Sequence, residues 1–553
     1  MIIWGEPSLV YPRSTVAGAY EKRPTPASRF SAPLTLRAPR AKFLTMADDF
    51  AKTMAEGYSF EGTTLLLGAP MRDGNVVSST HIRIPLAMMN RHGLIAGATG
   101  TGKTKTLQSL AGQLSLAGVP AFLADLKGDL SGLAAPGIPN PKVEDRAKAC
   151  GIPFTPEANP VEFVSLTGKS GIQLRATVSS FGPLLLARAL GLNETQQSVL
   201  ALVFKFCDER KLLLLDLPDL REVLQFLTGA GSAELQEFGG ISKATAGVLL
   251  RKIVELEQQG ADAFFGEPEF EVDDLLRADE RGRGVQTVLE LSDIQDRPAL
   301  FSTFMMWLLA SLYRELPEVG DTDKPKLVFF FDEAHLLFEN ATKPFLEQIE
   351  QVVRLTRSKG VGVFFVTQVP KDVPAEVLAQ LGNRVQHALR AFTPDDEKAL
   401  RATANTFPHS PYYDIPKSLT SLGIGEALVT VLTPRGTPTP VVATLMAPPM
   451  SLMGPIAPEE IAARVSRSPL QKEYAQPVDR ESAREVLQAR AEAVEEAAAP
   501  AGRGGRGAAP TVPNAVGDIL KSPVARAVGK ELVRGLFGVL GVSTSPRRRR
   551  TTW

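Results

Sequence analysis

The stretch "HGLIAGATGTGKTKTLQSLAGQL", His92 to Leu114, decides the fold. Gly93 to Ala96 is a short apolar run, Gly97, Gly102, Lys103 and Thr104 fit the spacing G-x-x-x-x-G-K-[ST], and a helix-compatible segment follows. Strand, glycine loop and helix therefore stand in the order that a phosphate-binding loop requires. The glycines let the loop curl until its N–H groups converge on phosphate oxygens, and the helix adds the positive end of its dipole. The nucleotide candidates are Gly97, Ala98, Thr99, Gly100, Thr101, Gly102, Lys103, Thr104 and Thr106. Lys103 is placed for the β and γ phosphates of ATP, and Thr104 for Mg2+.

A second stretch must then supply acids. In "KLVFFFDEAHLLF", Lys326 to Phe338, a strand apolar enough to be buried on both faces ends on Asp332, Glu333 and His335. Open α/β sheets bind ligands at the carboxyl ends of their strands, so both carboxylates belong at the same edge as the glycine loop. Asp332 is expected to share the Mg2+ with Thr104, and Glu333 to polarise the attacking water as a general base. "VGVFFVTQVP", Val361 to Pro370, is a further buried strand, ending at Gln368, a candidate sensor of the γ-phosphate.

Working outward, "GVPAFLADLKGDLSGL" supplies a strand that ends at Asp125, Lys127 and Asp129, which either line the same site or form an exposed turn. "VEFVSL" from Val161, "VQTVLELS" from Val285 and "NRVQHALRAF" from Asn383 read as more strands. Helical periodicity dominates from about Leu184 to Glu280, with "ETQQSVLALVFKFCDERKLLL" the clearest part. "PFLEQIEQVVRLTRSKG" is a helix ending in base, as the dipole favours. It carries Arg354 and Arg357; Arg384 and Arg390 follow in the next strand. His335 and His387 have no partners at metal-ligand spacing and read as structural polar contacts.

These elements define an α/β fold: a P-loop NTPase core with a helical insertion and a small N-terminal β element. The expected organisation is an N-terminal extension at 1–57, disordered or preceding the true start, and the first part of the core at 58–183. An insertion at 184–280, the second part of the core at 281–449, helix and linker at 450–513, and an amphipathic helix with a basic tail at 514–553 complete it. "FSTFMMWLLASLY" from Phe301 is too short to span a bilayer. The 61 basic residues balance 61 acidic ones, so nucleic-acid affinity would have to come from a local patch. The two cysteines, Cys150 and Cys207, have no metal-ligand spacing. No integral membrane association and a cytoplasmic location are expected.

The blocks "NRHGLIAGATGTGKTKTLQSLA", "AFLADLKGDLSGLAAPG", "FFFDEAHLLF", "EQVVRLTRSKGVGVFFVTQVP" and "LGNRVQHALRAFTP" together resemble the bacterial HerA-like ATPases of the YjgR type, similar in turn to the HerA and FtsK DNA translocases. The resemblance covers roughly Tyr58 to Pro449. It implies a RecA-like core in a homo-oligomeric, hexameric ring that uses ATP and Mg2+ to move on double-stranded DNA. It puts the nucleotide lysine at Lys103, the Walker B pair at Asp332 and Glu333, the sensor at Gln368, and an arginine acting in a neighbouring subunit at Arg357. The segment before Gly93 is short for the sizeable N-terminal β-barrel of HerA proper. The letters D-E-A-H also suggest the RNA helicases of that name, but those carry two RecA-like lobes, and one P-loop with one Walker B strand is present here. A reading of a different class is a nucleotide-dependent switch or scaffold that binds a protein partner through the insertion and tail.

Overall fold

A computed structural model describes residues 40–338 and 343–498. The expected tail helix "VARAVGKELVRGLFGVLG", the terminal "PRRRR" and residues 1–39 lie outside the described residues. Two compact units are distinguished, Met1–Gln488 and Ala489–Trp553, and of the second only the end of the helix Ala483–Ala498 is described.

The first unit is built on one sheet. Its strands are β1 (Thr64–Arg72), β2 (Asn75–Val76), β3 (Ile82–Pro85), β4 (Gly93–Ala96), β5 (Ala121–Asp125), β6 (Val161–Ser165), β7 (Ile172–Gln173), β8 (Gln286–Glu290), β9 (Leu327–Phe331), β10 (Val361–Thr367), β11 (Asn383–His387), β12 (Glu426–Thr430) and β13 (Val442–Met446). Their order is β2-β1-β13-β12-β11-β4-β10-β9-β5-β8-β6-β7, with β3 on β1. From β11 to β7 every pairing is parallel; β12, β13 and β1 are antiparallel.

Parallel strands need crossover helices, which cover both faces and force continuous apolar runs. In β9 the alternation is explicit: Phe329 and Phe331 enter the core on one face, and Phe330 enters the core on the other. Phe331 stacks on Phe365 of β10 at 5.6 Å, and Phe330 meets Phe364 at a tilt, 5.3 Å between ring centres. Each such ring contributes about 2–3 kcal/mol of burial. The first face is covered by helices that include Val178–Ala189, Glu194–Arg210, Leu217–Thr228, Lys243–Gln258 and Pro298–Glu315, the second by the P-loop helix Lys103–Leu116.

One expectation about organisation is corrected. Arg40–Gly57 is a helix whose Phe50 and Met54 are buried, with Phe50 edge-on to Tyr412 and Tyr413, so this part of the supposed extension is packed. A few buried residues there outweigh a composition that reads as loop. The small N-terminal β element extends the main sheet: Gly68–Met71 pairs with Ala443–Met446. In the stretch expected as helix and linker, Leu470, Tyr474 and Leu487 are buried in the core.

Candidate functional site

The parallel order β11-β4-β10-β9-β5-β8 brings the carboxyl ends of six strands to one edge, and the sequence-predicted groups emerge there. The loop after β4 is wedged between its neighbours: the Gly97 amide donates to the carbonyls of Thr367 and Gln368 at the end of β10, and the Ala98 amide to Ala388 beyond β11. Gly97, Gly100 and Gly102 have φ of 152°, 77° and 114°, the left-handed range that side chains disfavour. Thr99 and Gly100 are exposed, and the amides of Thr99, Gly100 and Gly102 have no backbone partner among the described residues. That is a cradle of free donors at a helix N-terminus, suited to phosphate oxygens.

Lys103 folds back over this loop, its Nζ donating to the Gly97 carbonyl at 2.7 Å and to Ala98 at 3.3 Å. Burial holds its ammonium below the ordinary lysine range, opposed by the charges of Glu333 and Asp332. Thr101 turns inward, donating Oγ1–H to the Ala98 carbonyl. Thr104 is half-buried in the first helical turn. Thr106 is engaged elsewhere: its hydroxyl lies 3.0 Å from His387 Nε2, while His387 Nδ1 donates to the Glu426 carbonyl. With Nδ1 as donor, Nε2 accepts from Thr106, and burial lowers the ring's pKa to about 4. His387 is thus a polar contact under the P-loop, as expected, and Thr106 spends its side chain on it.

Asp332 and Glu333 follow β9. Asp332 accepts the Glu333 amide on Oδ1 at 3.0 Å, whereas its buried Oδ2 has no hydrogen-bond partner among the described residues. Burial, with the charges of Glu333 and Asp129, pushes this carboxyl up to about 7. A cation would reverse that cost. Glu333 has left-handed backbone, φ 49°. Its Oε1 accepts from Lys127 Nζ, and Oε2 lies 3.4 Å from His335 Nδ1. Burial pushes Glu333 up, but the bonded Lys127, with Lys103 and His335, holds it below the usual carboxylate range.

Gln368 is exposed beside the Gly97 amide and lines a cavity of about 570 Å³ with His335, Phe338, Lys371 and Arg390. Arg357 stands apart. It precedes β10, whose seven residues lead to the carboxyl edge, hence it lies roughly 20 Å from its own chain's P-loop. There Arg357 and Arg91 share Asp321, at 3.7 and 3.5 Å. Arg354 pairs with Glu350, and Arg384 donates to the carbonyls of Leu381 and Thr406.

Two residues matter more than their sequence context suggests. Lys127 sits in the loop after β5, beside β9, and closes on Glu333; His335 faces the other carboxylate oxygen. The neighbouring Asp125 and Glu290 are cross-strand partners at the same edge. Burial raises them to about 6 and about 8. Among the described residues no cluster of three or more His, Cys, Asp or Glu side chains forms a ready-made metal cage.

The family model "Helicase HerA-like C-terminal" matches residues 71–545. The chain belongs to this family. The HerA-like chain is 22% identical over 383 residues to the DNA double-strand break repair helicase HerA of Sulfolobus acidocaldarius, covering 67% of this chain and 68% of that one. Against the HerA of Sulfurisphaera tokodaii it is 23% identical over 379 residues, with the same coverage. Among solved structures it is similar to the unbound monoclinic form of the bacterial conjugative coupling protein TrwBdeltaN70. There the TM-score is 0.47 at 15% identity, over 72% of this chain and 93% of that one. Membership of the HerA-like family, a RecA-like core and a translocase-type ATPase class follow from the family match and the sheet order together. No described helix is long and apolar enough to cross a membrane.

Proposed function

We propose that this chain is an ATP-hydrolysing motor of cytoplasmic location that moves on double-stranded DNA as a homo-oligomeric, hexameric ring. The observation that carries the ATPase part is the gathering of groups at one sheet edge: a phosphate cradle bonded to the end of β10, a buried acid with an unpaired oxygen, and a carboxylate kept ionised by Lys127. The residues fit magnesium–ATP. Thr104 and Asp332 would hold the ion, which neutralises phosphate charge.

The chain's own groups then divide the work. Lys103 exchanges the Gly97 carbonyl for the β and γ phosphate oxygens. Glu333, ionised, takes a proton from the attacking water, and Gln368 orients that water or reads the γ-phosphate. Arg357 can serve a nucleotide only on a neighbouring copy, given its place at the far edge. DNA as the track is supported by the family relationship: the Sulfolobus relative is named a DNA double-strand break repair helicase.

The test is steady-state ATPase activity across protein concentrations, with and without long double-stranded DNA, using Glu333→Gln as the blank. A ring-shaped DNA motor gives turnover that rises cooperatively with concentration and again with DNA. Hydrolysis indifferent to DNA overturns the translocase reading and favours a partner-regulated switch.

A further inference from the structure

The loop after β5 has no assigned part in the chemistry, yet it is the most firmly tethered segment beside Glu333. Asp125 Oδ1 accepts the amides of Lys127 at 3.1 Å and Gly128 at 2.8 Å, and Oδ2 accepts that of Leu130 at 2.8 Å. Gln295 Nε2 donates to the Leu126 carbonyl at 2.7 Å, and Gln108 Nε2 to that of Asp129 at 3.2 Å. Gly128 takes φ 72°, which lets the loop turn at that point without a Cβ penalty. Five hydrogen bonds thus fix the backbone from which the Lys127 side chain leaves.

Because β5 and β9 are parallel neighbours, with Ala124 opposite Phe331, Lys127 and Glu333 leave the sheet side by side. The Glu333 side chain is only 5% exposed, and its backbone is left-handed, φ 49°. Lys127 Nζ bonds Oε1. Oε2 is the oxygen left without a hydrogen-bond partner among the described residues, and His335 Nδ1 is 3.4 Å away.

We infer that Lys127 is a positioning residue for Glu333, clamping Oε1 so that the buried, unbonded Oε2 is the oxygen kept for the attacking water. A carboxylate free to rotate would offer either oxygen in many poses, and orientation is worth large factors in rate. One side chain, a lysine held by the β5 loop, removes that freedom. The inference rests on the reading of Glu333 as the general base.

The test uses the full chain with Lys127→Met, Lys127→Arg, Glu333→Gln and the double variant Lys127→Met/Glu333→Gln. Binding of a fluorescent non-hydrolysable ATP analogue and thermal melting of the free protein accompany turnover. Positioning predicts a 10- to 100-fold loss of kcat in Lys127→Met. Analogue affinity should stay within about twofold, Lys127→Arg should recover part of the rate, and Lys127→Met should cause no further loss once Glu333 is Gln. Melting should report the same pair without activity: Lys127→Met lowers the midpoint by several degrees, and much less in the Glu333→Gln background. Unchanged kcat in folded Lys127→Met overturns the inference, as does a loss confined to nucleotide affinity. If Lys127→Met does not fold, Lys127→Arg decides by the same split. Full turnover in Glu333→Gln sinks the reading of Glu333 as the general base, a different failure.

Discussion

Gly97 and His387 are in such close contact that a methyl group on Gly97 would fall 2.5 Å from the His387 Cβ and 3.1 Å from its carbonyl carbon. Neither atom can swing away as a flexible side-chain tip would. The P-loop's first residue is therefore gripped by β11 on one side and by the Gln368 carbonyl of β10 on the other.

Gly97→Ala should keep the fold and lose nucleotide. The added Cβ also meets disfavoured backbone, φ 152°. Analogue affinity should drop by 10-fold or more, about 1.4 kcal/mol, with far-UV circular dichroism unchanged. Native affinity in this variant would show that the loop is looser than the contact implies.

Lys103→Ala should remove the charge that Gly97 and Ala98 now hold over the cradle. Nucleotide binding should fall by about one to two orders of magnitude, at roughly 1.5–3 kcal/mol for a charged hydrogen bond. Calorimetric titration with the analogue checks it; intact affinity would remove Lys103 from the site.

Glu333→Gln keeps shape and most packing but cannot accept a proton. ATP should still bind, while hydrolysis drops by about 10²- to 10⁴-fold, the usual contribution of a general base. Wild-type turnover would take Glu333 out of the mechanism.

The division between what the chain's order shows and what it hides runs through these same residues. Strand, loop and helix around Lys103, and the buried strands ending at Asp332 and Gln368, were legible because parallel strands must be apolar throughout and their ends must carry the chemistry. Hidden was the side-chain meeting of Lys127 with Glu333, 206 positions apart, since spacing says nothing about which loops leave adjacent strands. The helix Arg40–Gly57 was missed because its burial depends on Phe50 reaching Tyr412 and Tyr413. The split of the sheet, with antiparallel β12, β13 and β1 continuing a parallel core, likewise depends on pairings of distant segments.

Glu290 gives a pH dependence of defined sign. Its carboxyl is buried, opposite Asp125 and near Asp293, and it keeps its proton up to about 8 against an ordinary value of 4.5. Between those values the folded state binds more protons than the unfolded state, so stability falls as pH rises through the window; below it the effect is absent. Glu290→Gln removes the ionisation at nearly constant shape. Its stability relative to wild type should therefore grow by ~1–3 kcal/mol from pH 5 to pH 9. Denaturant melts at the two pH values check this, and a difference flat with pH would mean the Glu290 carboxyl is not held neutral.

Arg357 tests the ring. At the amino end of β10, beside Arg91 and Asp321, it faces away from its own cradle by the length of a strand. If it completes the site of a neighbour, Arg357→Ala and Lys103→Ala each lack something the other retains. A Lys103→Ala subunit cannot bind nucleotide but can lend its arginine; an Arg357→Ala subunit binds nucleotide and needs one. Mixing two nearly inactive proteins should then restore turnover, up to the fraction of interfaces that pair an intact cradle with an intact arginine, about a quarter in a random equimolar ring. Arginines of this kind contribute about 10³- to 10⁵-fold to turnover, so even partial recovery stands far above either variant alone. Mixtures shown by native mass spectrometry to co-assemble, yet no more active than their components, would assign Arg357 to its ion pair with Asp321 and leave the neighbour's contribution to another residue.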